Sequence, residues 1–322
     1  MQLLIKAIGK REKHSTIYFM VNNIRQRPSF HDLTPLQSRH KPLSQIAPFT
    51  LNPAKLPYCV AISAPHGGYD YPLDYMAHGA DMLHRHRSLE DIGTSIMAEQ
   101  LHTAFRPVIS ANLGRSWLDL NRPHTALDPL LYERGSSFVP TDDDYGAYVK
   151  AGYGVMPRLS ALREPLHSKA LPVSFAALMI QKFHDPYHHK LSELSDDMQP
   201  HGILIDLHSM PDKANGKALP DFVFGDDFGK TLPHEYRAII DGYMAKSGFH
   251  FGWNYPYAGG YITRHYGTVS DTKHSLQIEV NRAAYSASKH RISLSAISQI
   301  AHCLNGLICL LEQASSGMIA AQ

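Results

Sequence analysis

Short apolar runs alternate with amphipathic stretches from about residue 56 onward. "LPYCVAISAPHGG" is a β-rich run ending in a small-residue turn, the pattern of a buried strand feeding a loop. "EDIGTSIMAEQLHTAF" follows an acidic start with Ile92, Ile96, Met97, Leu101 and Phe105 near helical spacing. "RPVISANL" and "WLDL" read as strands, so the order begins β, α, β. "PYHHKLSELSDDM" then predicts a helix ahead of the strand "GILIDL". "DFVFGD" predicts a further strand, "PHEYRAIIDGYMAKSG" a helix with a glycine near its end, and "HSLQIEVNR" another strand. The closing stretch "ISLSAISQIAHCLNGLICLLEQA" is a helix apolar on most faces. This alternation predicts an α/β fold, three layers α/β/α around a mostly parallel mixed sheet.

Two regions break the pattern. Residues 1–55 mix Pro, polar and basic residues without a sustained period and read as an irregular leader. Residues from about 123 to 185 are rich in Pro, Gly, Ser and Tyr, include the acidic run "TDDDYGAY", and read as a long insertion of the kind that often serves as a lid. The expected organisation is therefore a leader followed by one α/β domain over residues 56–322.

Composition narrows the function classes. A formal charge of +2 on 322 residues gives no electrostatic case for nucleic acid or membrane partners, which leaves small-molecule chemistry as the default. Three cysteines without CxxC spacing argue against a disulfide framework or a thiolate cluster and fit a reducing, cytoplasmic setting. No uninterrupted apolar run approaches the roughly 18 residues needed to span a bilayer. The opening "MQLLIKAIGKREKH" lacks the apolar stretch and cleavage site of a secretory signal.

Chemistry gathers at the expected strand ends, where α/β sheets place their sites. "AISAPHGG" ends in His66, "ILIDLHS" in His208, "LQIEVNR" in Glu279 and Arg282, and "WLDLNRP" in Asn121 and Arg122. Zinc held by two imidazoles and one carboxylate is a standard hydrolytic arrangement, and His66 and His208 are candidates for the nitrogens. The carboxylate is Asp91 or its neighbour Glu90, since neither HExxH nor HxxE occurs to guide the choice. Asp206 faces the same side of its strand as His208 and either orients that imidazole or caps the turn.

The ordered series "APHGG", "EDIGTSIMAEQL", "GRSWLDLNRP", "ILIDLHSMP", "DFVFGD", "GGYITRHYG" and "LQIEVNRAAY" resembles the N-formylglutamate amidohydrolase family over roughly residues 57–290. That family is similar in architecture to the zinc carboxypeptidases (phosphorylase/hydrolase-like) and to the aspartoacylase-like deacylases. The resemblance implies one Zn2+ per chain on His66, Asp91 and His208, with Glu279 as general base. It also implies Arg122 with Asn121 as a carboxylate clamp, and Arg115 as partner of the oxyanion or of a second carboxylate. Arg264, in the glycine-rich loop that borders the family's pocket, is the candidate for a substrate side-chain carboxylate, with Tyr261, His265 and Tyr266 as wall residues.

The implied activity is hydrolysis of N-formyl-L-glutamate to formate and L-glutamate. A zinc hydrolase of another N-acyl amino acid, small peptide or cell-wall fragment is the sister reading. A non-catalytic metal or amino-acid binding module is a third, disfavoured by a glutamate that a pure binder does not need.

Overall fold

The protein is described by a computed structural model that covers residues 32–75, 80–133, 145–270, 272–288 and 290–320. Most of the expected leader and the first four residues of "TDDDYGAY" lie outside this set.

Seven strands form the central sheet: β1 (Phe49–Asn52), β2 (Tyr58–Ala64), β3 (Val108–Ala111), β4 (Met198–Met210), β5 (Phe222–Gly225), β6 (Phe251–Trp253) and β7 (Lys273–Asn281). Their order across the sheet is β6-β5-β7-β4-β2-β3-β1. The four central strands β7, β4, β2 and β3 run parallel. β1 adds antiparallel to β3 at one edge, and the parallel pair β5 and β6 adds antiparallel to β7 at the other. β1 falls inside the stretch expected to be irregular, where "FTLN" is too short for its period to be read.

The pleat of β4 divides its side chains between two cores. Ile203, Ile205 and Leu207 join one buried cluster with the helices Thr94–Leu101, His234–Ser247 and Leu294–Ala320. Leu204 points to the opposite face, into a cluster with the helices Val173–Met179, Asp185–Asp197 and Tyr261–Tyr266. Helices on both faces of a mixed sheet give the expected three-layer α/β fold.

The Leu294–Ala320 helix has the length and apolarity to cross a membrane over Leu294–Ile319. Here Ile297, Ile300, Leu304, Leu307, Ile308 and Leu311, spaced at helical intervals, are fully buried against the sheet.

The structure corrects "WLDL", which is a turn and not a strand. Trp117 N–H donates to Gly114 O at 3.0 Å and Asp119 N–H to Val155 O at 2.7 Å. The Asp119 carboxylate then accepts from the Asn121 N–H at 2.9 Å, a local bond that competes with a strand ladder. Trp117, Leu118 and Leu120 are buried by neighbouring loops, so their apolarity reflects packing without strand alternation.

The burial of Leu304 in the long helix makes a stability prediction. Leu304→Ala is expected to cost about 2–5 kcal/mol, read as a lowered urea midpoint at unchanged slope. An unchanged midpoint would show that the helix face does not carry the core.

Candidate active site

The site forms where the parallel strands end, on the face of the sheet opposite the Leu294–Ala320 helix. β2 stops at Ala64 and the chain delivers His66 two residues later; β4 carries Asp206 and His208 on one face. The parallel register of β4 and β7 sets Glu279 beside His208 and Gln277 beside Asp206. Asp91 comes from the turn before the Thr94–Leu101 helix and accepts the Ser209 N–H at 3.2 Å, which ties that turn to the end of β4.

His208 Nδ1 lies 3.0 Å and His66 Nδ1 3.4 Å from the same oxygen, Asp91 Oδ2. The two imidazoles pack edge to face with centroids 4.6 Å apart. Their other nitrogens are taken by carboxylates: His66 Nε2 lies 2.6 Å from Asp119 Oδ1, and His208 Nε2 2.9 Å from Asp206 Oδ2. His66 Nδ1 is buried and makes no hydrogen bond. The potential ligand atoms of His66, Asp91 and His208 all lie within 4.8 Å of one another. An orphaned imidazole nitrogen, a second imidazole and a carboxylate converging on one point, with the far nitrogens anchored, fit a divalent cation.

Electrostatics agree. Burial alone would raise the Asp91 carboxyl, but the adjacent His208 and His66 imidazoles outweigh it and hold the group well below the usual carboxylate range. Burial disfavours charge on His208, yet the Asp206 and Asp91 carboxylates raise its pKa well above the usual value. Three buried carboxylates around two imidazoles thus form a cage that attracts positive charge.

Glu279 is 6% exposed. Burial pushes its carboxyl up to about 7, with His208 opposing and Asp91 adding to the shift. Gln277 Nε2 donates to Glu279 Oε1 at 2.9 Å and fixes the carboxyl group. Glu90 points elsewhere: it accepts from the Tyr71 hydroxyl at 2.6 Å and from Arg87 Nε at 3.0 and 3.2 Å. Asp91, and not Glu90, is therefore the carboxylate brought to the histidines.

The remaining candidates line a cavity of about 600 Å³ that also contains His66, Asp91, His208 and Glu279. Arg115 donates to Asp119 at 3.0 Å and lies 3.7 Å from Asp91. Arg122 donates to the Asn121 and Tyr153 carbonyls at 2.8 and 3.2 Å, with its guanidinium 4.2 Å from the centre of the Tyr148 ring. Arg264 Nε donates to Asp227 at 3.2 Å. Asn121 Nδ2 reaches Asp206 at 3.1 Å and His208 Nε2 at 3.0 Å, while its Oδ1 accepts the Ile262 N–H at 2.7 Å. Both ends of that amide are thus engaged by protein groups.

Two histidines brace the Asp119–Arg122 turn from behind. His188 Nε2 donates to Leu120 O and His184 Nε2 to Arg122 O, each at 2.9 Å. Burial pushes His188 down to about 3 and lowers His184, so burial favours the uncharged form of both struts. No motif marks Asp119, Gln277 or Tyr257, though all three belong to the cavity or its cage, and Arg282, which the sequence places at the end of its strand without a role, lines the cavity as well. The need of a metal-binding imidazole for an acceptor on its second nitrogen was the signal for Asp119, as it was for Asp206.

A buried His–Asp–His cluster at the carboxyl ends of parallel strands, with a proton-accepting carboxylate alongside, defines an α/β enzyme with a candidate metal centre. The chain belongs to the N-formylglutamate amidohydrolase family, whose sequence model matches residues 58–286. It is 29% identical over 238 residues to an N-formylglutamate deformylase of Pseudomonas putida, and 26% identical over 239 residues to one of Pseudomonas aeruginosa. Each match covers 70% of this chain and 80% of the relative. The crystal structure of an N-formylglutamate amidohydrolase from Ralstonia eutropha JMP134 superposes with a TM-score of 0.73 at 25% identity, covering 84% of this chain and all of that one.

Close packing of the glycine-rich loop gives a test. A Cβ on Gly260 would lie 2.2 Å from Asn121 Nδ2, so any side chain there displaces the amide that braces His208 and Asp206. Gly260→Ala is expected to destabilise the fold by about 1–3 kcal/mol in thermal or denaturant unfolding. Wild-type stability in that variant would contradict the contact.

Proposed function

We propose that this protein is a zinc-dependent amidohydrolase that converts N-formyl-L-glutamate to formate and L-glutamate. The observation that carries the reading is the convergence of His66, Asp91 and His208 beside Glu279, in an arginine-lined cavity. The names of the curated relatives support the substrate.

His66 Nδ1, His208 Nδ1 and Asp91 would hold the Zn2+, with Asp119 and Asp206 fixing the two rings from behind. When bound, the metal supplies Lewis acidity toward the formyl oxygen and lowers the pKa of water. Glu279 takes a proton from the attacking water and passes it to the amide nitrogen as the C–N bond breaks, so glutamate leaves as the amine and the formyl carbon as formate. Burial, which raises its carboxyl above the ordinary carboxylate range, favours that shuttling role. Arg115 donates to the oxyanion that develops on the formyl oxygen. Arg122, with Asn121 beside it, and Arg264 bind the substrate carboxylates.

The site belongs to a small-molecule enzyme, and a cytoplasmic setting suits the three free cysteines Cys59, Cys303 and Cys309.

Formate release paired with metal analysis tests this reading. Glu279→Gln is expected to retain zinc while turnover falls by about 10²-fold or more; full activity would remove the base from the scheme. His208→Ala should lose stoichiometric zinc together with activity, and a fully metallated variant would contradict the ligand set. Asp119→Asn should weaken zinc affinity by about 10–100-fold in equilibrium dialysis, with undiminished affinity counting against an anchoring role. Arg122→Ala should act chiefly by raising KM, and an unchanged KM would count against a clamp.

A further inference from the structure

Four arginines line the cavity, and three already face acidic side chains. Arg115 has Asp119 at 3.0 Å, Arg264 has Asp227 at 3.2 Å and Arg122 has Asp119 at 4.0 Å. Arg282 differs: among the described residues it forms no ion pair within 4.0 Å, and the Glu90 carboxylate, held by Tyr71 and Arg87, acts on it only at longer range. Its Nη1 donates only to the Glu90 carbonyl, at 3.3 Å, and its Nε is buried without a hydrogen-bond partner. A partly buried cation with an orphaned donor is costly unless something else completes it.

The backbone that presents this residue is fixed at several points. Asn281 Nδ2 donates to the Leu219 and Pro220 carbonyls, while its Oδ1 accepts the Ala283 N–H at 2.9 Å. Tyr285 N–H closes the turn onto Arg282 O at 3.1 Å, and the Tyr285 hydroxyl is anchored on Ile92 O at 2.6 Å. The side chain therefore springs from a rigid turn one step beyond β7, the strand that carries Glu279. A guanidinium without an ion-pair partner, held on a preorganised turn in the lining of the reaction cavity, suits a planar anion.

We infer that Arg282 pairs directly with a carboxylate of the substrate and sets a preference for dianionic over monoanionic N-acyl amino acids. This deepens the proposed function and rests on it for the identity of the substrate. Arg115 and Arg264 already have a protein carboxylate within ion-pairing distance to compete with that anion, and Arg282 has none among the described residues.

The test compares kcat/KM of the zinc-loaded wild type, Arg282→Gln and Arg282→Lys on three compounds. These are N-formyl-L-glutamate, N-formyl-L-glutamine and N-formyl-4-aminobutyrate, the last two each lacking one carboxylate. The ratio between compounds within one variant cancels any loss of folded enzyme. Arg282→Gln is expected to lower the preference for N-formyl-L-glutamate over one of the two analogues by about 10–100-fold, mostly in KM, with Arg282→Lys retaining part of it. The analogue whose ratio collapses identifies the carboxylate. Ratios unchanged for both analogues would overturn the assignment. Calorimetric binding of glutarate, which needs no turnover, should weaken by a similar factor in Arg282→Gln, and equal affinity overturns the assignment as well. A wild type that releases no formate but loses glutarate affinity on Arg282→Gln sinks the amidohydrolase reading and leaves Arg282 as the anion receptor.

Discussion

Six buried ionisable side chains at the ends of the parallel strands set the terms for the rest of the structure. His66, Asp91, Asp119, Asp206, His208 and Glu279 are each at most 6% exposed. Any one of them alone in that environment would be strongly unfavourable. They persist because each is completed by another: Asp91 lies between the two imidazoles, Asp119 and Asp206 hold the outer nitrogens, and Gln277 steadies Glu279. The sheet makes this possible, since the register between β4 and β7 fixes Glu279 beside His208 before any loop is placed. Removing one partner leaves the others uncompensated, so the cluster behaves as a unit.

The parts of this arrangement written in local pattern were legible from the sequence. β4 and β7 announce themselves as apolar runs, and the polar residues that interrupt them, Asp206, His208 and Glu279, stand out because strands of that kind rarely afford charge. The helices Thr94–Leu101, Asp185–Asp197 and His234–Ser247 follow from periodicity. "WLDL" misled because four consecutive buried residues resemble a strand when loops do the covering, and only the Asp119 side chain, bonded to the Asn121 N–H, marks the turn. β6 is three residues long, and the Tyr261–Tyr266 helix hides behind two glycines that suggest a loop.

What local pattern does not contain is pairing across the chain. The choice between Glu90 and Asp91 depends on Tyr71 and Arg87, which occupy Glu90 from another direction. The role of Asn121 as a brace depends on Ile262, 141 positions later. That Arg282 forms no ion pair within 4.0 Å among the described residues is a property of the folded surroundings and of no motif. The motifs are local in the sequence; the contacts between them exist only in the fold.

The two faces of the sheet carry different burdens. The Leu294–Ala320 helix buries its apolar stripe on the side away from the cavity, while the histidines, carboxylates and arginines sit on the other side and at the strand ends. Mutational drift in that helix acts on how firmly the scaffold stands and leaves the reacting groups untouched. Such separation gives a lineage room to explore new acyl or amino-acid specificities in the loops, because robustness is banked in a layer that chemistry does not visit.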